Sequence, residues 1–133
     1  MADVLEDAVA ALGDALEGMT GLTRWYDEPP ESLSEFPCGM AFVVSGEITA
    51  VSDGFDRGLH TLRIAIYLAR AVLPEAVGAA KVWPYLIHNA LKADQTLAGT
   101  VKAIVWPLSY RSGPMVYGSE TLFGVAADVV LKI

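Results

Sequence analysis

Cysteine is almost absent from this chain, with Cys38 the single example. A lone thiol excludes an internal disulfide framework and any zinc site built from cysteines. No histidine or basic cluster near Cys38 would lower its pKa, so it is expected to be an inert, half-buried residue beside Pro37. Histidine is scarce too: His60 and His88 are the two in the sequence. They form neither HxH nor HxxxH, and neither has a carboxylate at a suggestive helical spacing, so ordinary structural or surface roles are expected. The phosphate-cradling patterns GxxxxGK[ST] and GxGxxG are missing. Ser45-Gly46 and Ser52-Asp53-Gly54 lack the strand–elbow–helix context of a hydrolase nucleophile. Glu28, Glu31 and Glu35 sit in a proline-rich stretch, where solvated charge explains them without paired acid–base work. The residues indicate no enzyme, no metal and no cofactor.

Positive charge and long apolar runs are also in short supply. The net charge is -7, and no Lys/Arg cluster occurs, which argues against a surface that grips nucleic-acid phosphate. The longest uninterrupted apolar run, residues 64–69, lies between Arg63 and Arg70 and is far too short to span a bilayer. Met1-Ala2-Asp3 opens the sequence with an acid where a secretory leader is basic. A soluble protein made in a reducing compartment is expected, with no membrane partner. What the chain does have is apolar residues, at 53% of the total and a mean hydropathy of +0.41. The length of 133 residues fits a single domain, 1–133, able to bury roughly two thirds of its unfolded surface. An acidic domain this small and this apolar points to surface hidden against a partner.

Periodicity predicts an α/β (α+β-like) domain: a mixed, mainly antiparallel sheet of two hairpins, with an N-terminal helix and a central helical crossover packed on it. Residues 1–21 hold the helix, in which Leu5, Ala8, Val9, Leu12, Leu16 and Met19 form one stripe and Gly21 ends it. Residues 27–38 form an arm rich in proline and acid that cannot be helix or central strand. Just before it, Trp25 and Tyr26 can anchor either to their own core or to a neighbouring subunit. Residues 39–51 read as a strand with a bulge near Gly46. Ser52-Asp53-Gly54 turns it back into a second strand from His60, making a hairpin. In that second strand Leu62, Ile64, Ile66 and Leu68 share one face.

Pro74 and Pro84 suit the first turns of two helical segments. The second carries Trp83, Leu86, Ile87, Ala90 and Leu91 as its apolar stripe. A strand over 100–106 follows and can lie parallel to the His60 strand, since the connection is long enough for a β-α-β unit. Residues 110–118 read as a loop around Ser112-Gly113-Pro114. The last strand, from about Glu120, places Phe123, Val125, Ala127, Val129, Leu131 and Ile133 on one face.

Three stretches in combination resemble a known family. They are HTLRIAIYLAR leading to VWPYLIHNALKAD, then QTLAGTVKAIVWPLSY, then VYGSETLFGVAADVVLKI. In this order they are similar to small tail terminator and tail-completion neck proteins of long-tailed (siphovirus) bacteriophages, over roughly residues 37–133. Ala98 stands where the pattern has a second glycine, Ser119 replaces another, and Phe123 takes the place of a tyrosine. The resemblance implies a structural virion protein with no catalytic role. It would form a ring, a homohexamer by expectation, that caps the tail tube, stops its elongation and offers a surface for head–tail joining. The implied partners are further copies of the chain, the tail tube protein and the head–tail connector or stopper protein, with DNA only passing through the lumen. The virion tail and neck would be its location, after assembly in the host cytoplasm.

Within that expectation the interface falls on the 27–37 arm and the loops 52–58 and 111–119, because apolar loop tips waste area in water. The candidate contact residues are Trp25, Tyr26, Asp53, Phe55, Asp56, Arg57, Arg111, Met115 and Tyr117. A charged residue at Phe55 or Tyr117 is expected to leave the monomer folded and prevent ring or tube contact. Three other readings compete: a head-closure (stopper) or minor tail protein, a small-ligand-binding α/β domain with its pocket between helix 83–93 and the sheet, and an unrelated oligomeric scaffold.

Overall fold

A computed structural model of the protein describes residues 4–48, 58–70 and 74–133. Helix α1 (Val4–Leu16) is followed by a two-residue strand β1 (Arg24–Trp25) and the hairpin β2 (Cys38–Gly46) and β3 (Leu59–Ala69). Two helices come next, α2 (Pro74–Ala79) and α3 (Trp83–Ala93), and then a second hairpin, β4 (Ala103–Tyr117) and β5 (Glu120–Lys132). The five strands form one sheet in the order β1-β2-β3-β5-β4. All ladders are antiparallel except the short β1–β2 pair. The α/β architecture expected from periodicity is the one observed.

The main core lies where the helices meet the sheet. Leu62, Ile64 and Ile66 of β3 are fully buried there, as are Val125, Ala127 and Leu131 of β5. Ala8, Leu12 and Leu16 of α1 and Ile87 and Leu91 of α3 close over them. Side chains three and four apart on a helix share a face, and alternate residues on a strand do, so both periods converge on this layer. Pro84 sits in the first turn of α3, where its missing N–H is no loss.

Three expectations are completed or corrected. The strand after the helices does run in the same direction as β3, because each is antiparallel to β5, but β5 is inserted between them. The reason lies in β5 itself: Leu122 and Ala126 on its other face are also buried, and a strand apolar on both faces belongs at the centre of a sheet. Second, residues 110–117 are strand and not loop. β4 continues through Gly113 and Pro114, opposite Gly124 and Phe123, to a tight turn at Gly118-Ser119. Pro114 is tolerated because β4 is an edge strand, whose outward N–H positions need no partner. Likewise the irregularity in β2 falls between Val43 and Ser45, two residues before the expected site at Gly46.

The second face of the sheet has a smaller core of its own. Cys38, Met40, Ala65, Tyr67 and Leu122 are buried there beneath Leu33. Leu33 comes from the proline-rich arm and is only 1% exposed. The arm is therefore folded back on its own domain. Thr23 Oγ1 donates to the Phe36 carbonyl at 3.1 Å, Arg70 Nη2 donates to the Leu33 carbonyl at 2.7 Å, and the Tyr117 hydroxyl donates to the Pro30 carbonyl. Arg70 also lies over the Phe36 ring and pairs with Glu120 at 3.0 Å.

Candidate interaction surface

The expected contact residues fall into three groups. Asp53, Phe55, Asp56 and Arg57 lie outside the described residues. Trp25, Tyr26, Met115 and Tyr117 are half-buried against the protein's own cores. Arg111 is exposed on β4. Trp25 packs between α1 and β2, near Gly13 and Gly39. Tyr26 lies under the Arg24 guanidinium, 5.0 Å from ring centroid to Cζ. Tyr117 meets Tyr67 edge to face at 5.6 Å. A charge at Tyr117 would thus disturb the monomer itself, contrary to the expectation of a purely intermolecular effect.

Burial shapes the chemistry of this second core. It pushes the Cys38 thiol up to about 11, with Glu35 adding to the shift. The hydroxyls of Tyr67 and Tyr117 are raised as well, first by burial and then by their ionisable neighbours, Cys38 among them. A thiol held neutral in this way is a packing residue and a poor nucleophile. On the uncovered part of the same face Arg63 and Asp128 form a two-point ion pair, Nε to Oδ1 at 2.8 Å and Nη2 to Oδ2 at 3.2 Å. Arg63 is held firmly cationic by that hydrogen bonding. Among the described residues no group of three or more His, Cys, Asp or Glu is arranged to hold a metal ion. Nor is any helix among them long and apolar enough to cross a membrane.

Two groups of exposed apolar residues lie at opposite edges of the sheet, apart from others such as Leu59, Val77 and Val82. At one edge, β1 pairs only with Cys38 and Gly39, so the rest of β2 has no outer strand among the described residues. There Phe42, Val43 and Val44 are 40%, 44% and 45% exposed in succession. On the helix side of this edge a cleft of about 550 Å³ runs between α1 and β2, rimmed by Glu6, Asp14, Asp27 and Glu28. At the other edge a cleft of about 460 Å³ opens between α3 and β4, lined by Pro84, Tyr85, His88, Trp106, Leu108 and Tyr110. Tyr85 and Tyr110 are 71% and 60% exposed. The His88 and Trp106 rings sit 5.2 Å apart at the floor, and Trp106 Nε1 donates to Gln95 Oε1 at 3.2 Å.

These edge residues did not stand out in the sequence. Tyr85 does lie outside the α3 stripe, which marks it as an exposed aromatic. Phe42, Val43 and Val44 read as ordinary strand, and nothing local reveals that β1 is too short to cover them. No protein-family model matches the chain, and no curated protein matches it at a significant level.

Proposed function

We propose that this chain is a structural subunit of the tail–neck region of a long-tailed bacteriophage: a tail terminator that assembles as a ring, caps the tail tube and receives the head connector. The observation that carries the reading is the pair of dissimilar apolar surfaces on opposite edges of one sheet. A ring built head to tail needs two different patches on opposite sides of each subunit, because its interface is heterologous. The likeness of 60–94, 95–110 and 116–133 to neck proteins supports the same conclusion. Its apolar surplus would then be buried between subunits, as in obligate assemblies. An acidic subunit would also let DNA pass a lumen without being held.

The test is the mass of the purified protein by light scattering, with negative-stain images of the same sample, repeated after adding purified tail tubes. Rings near six copies, or rings formed at tube ends, are the expected result. A stable monomer or dimer that ignores tubes overturns the reading. Binding to the portal-side adaptor in place of the tube would reassign the chain as a head-closure protein.

A further inference from the structure

We infer that the subunit contact is made by the β2 edge of one copy, at Phe42 to Val44, seated in the α3–β4 cleft of the next copy; this rests on the ring reading above. Three successive exposed apolar residues on a strand with no outer neighbour among the described residues are an aggregation hazard unless something occupies them. Edge strands are commonly guarded by charge or proline, and β2, residues 38–46, has neither. It is built to be covered.

The charge pattern identifies the cover as another copy of the chain. Between residues 4 and 47 the only base is Arg24, and it already faces Glu35 at 3.9 Å. Between residues 76 and 119 the only acid is Asp94, set against Lys81, Lys92, Lys102 and Arg111. Asp94 is itself occupied, accepting from the Ala98 N–H at 3.0 Å. The β2 edge thus carries an acidic rim, and the α3–β4 edge is neutral to basic. Two acidic β2 edges would repel, whereas a β2 edge meets no opposing acid rim at the α3–β4 edge, which favours the heterologous arrangement over a two-fold one through β2. The form of the contact follows from β4. Pro107 and Pro114 lie in β4, and its pairing with β5 is irregular between Val105 and Ser109, so the strand is not a regular template and simple strand addition is disfavoured there. Apolar side chains entering a cleft walled by Tyr85, Trp106 and Tyr110 are favoured instead, since buried aromatic anchors dominate protein contacts.

Two variants test this, Tyr85→Asp in the cleft and Val44→Asp at the edge, each checked for wild-type circular dichroism. Each alone is expected to weaken self-association by about tenfold or more. Mixed in equal amounts they should form a dimer and nothing larger, because one intact edge meets one intact cleft while the two spoiled surfaces repel. Val44→Thr, which keeps a strand-favouring residue, replaces Val44→Asp if the latter loses its fold, and should also weaken association. Rings from both variants as readily as from wild type overturn this interface and leave the ring reading standing. Wild-type protein that never associates, alone or on purified tail tubes, overturns both.

Discussion

The indole of Trp25 occupies the space that a side chain on Gly39 would need. A Cβ placed on Gly39 would lie 2.9 Å from Trp25 Cε3 and equally close to Ile66 Cδ1. Trp25 belongs to a strand of two residues, too short to hold itself by ladder hydrogen bonds. It is held by this close fit and by the facing Gly13 of α1, where a Cβ would come within 2.7 Å of the indole nitrogen.

Gly39→Ala is therefore expected to destabilise the fold by about 1–3 kcal/mol, the usual cost of forcing an extra carbon into a packed site. Denaturant unfolding monitored by tryptophan fluorescence gives the number. A loss too small to measure would mean that the indole can step aside.

Leu33 fastens the arm. Replacing it with Ala removes a side chain that is 1% exposed, and about 2–5 kcal/mol is the general cost of such a truncation in a core. The arm can relax toward solvent, so the low end of that range applies. Limited proteolysis should cut between residues 27 and 37 much faster in the variant, with the rest of the domain intact. Equal cleavage of both proteins would show that the arm is not held by Leu33.

Ala98 should become more stable as glycine. Its φ is 58°, in the left-handed region, which costs a residue with a Cβ roughly 1–2 kcal/mol. The side chain is exposed, so its removal forfeits little packing. The greater freedom of glycine in the unfolded chain offsets part of the gain. Ala98→Gly is expected to raise the unfolding free energy by up to about 1 kcal/mol, and an unchanged or lower melting temperature would contradict the argument.

Alkali should loosen the second core. Cys38, Tyr67 and Tyr117 all have raised values in the folded state, so the folded protein holds their protons more tightly than the unfolded chain does. Their contribution to stability is complete below the unfolded values and is lost as pH rises through the folded ones. For Cys38 the window runs from the ordinary thiol value of 9.0 to about 11. Cys38→Ala should flatten the fall in stability across that window, read by denaturant titration at several pH values. An unaltered slope would exclude Cys38 as a contributor.

The sequence by itself determined the helices, the strands facing them and most of the main core. Those features depend on periods of 3.6 and 2, which are local and survive in any packing. Leu62, Ile64 and Ile66 and the alternating row from Phe123 to Ile133 were legible in this way. The central place of β5 was written there too, in the apolar residues on both its faces, while the long helical connection pointed to the shared direction of β3 and β4 and not to the strand between them. Gly113 and Pro114 read as loop because their backbone preferences are local, and an edge position that excuses a missing N–H is not.

Tertiary structure alone decided the rest. Leu33 lies in a segment with no period, and only the sheet's second face explains why it is buried. Tyr117 looked like an exposed loop tip until Tyr67 and the Pro30 carbonyl, distant in sequence, were brought beside it. The exposure of Phe42, Val43 and Val44 depends on how short β1 is and where it stops, and that of Tyr85 and Tyr110 on the cleft left open between α3 and β4. Burial is a property of neighbours far along the chain. Periodicity states which side chains share a face; only the packed chain states which faces remain uncovered.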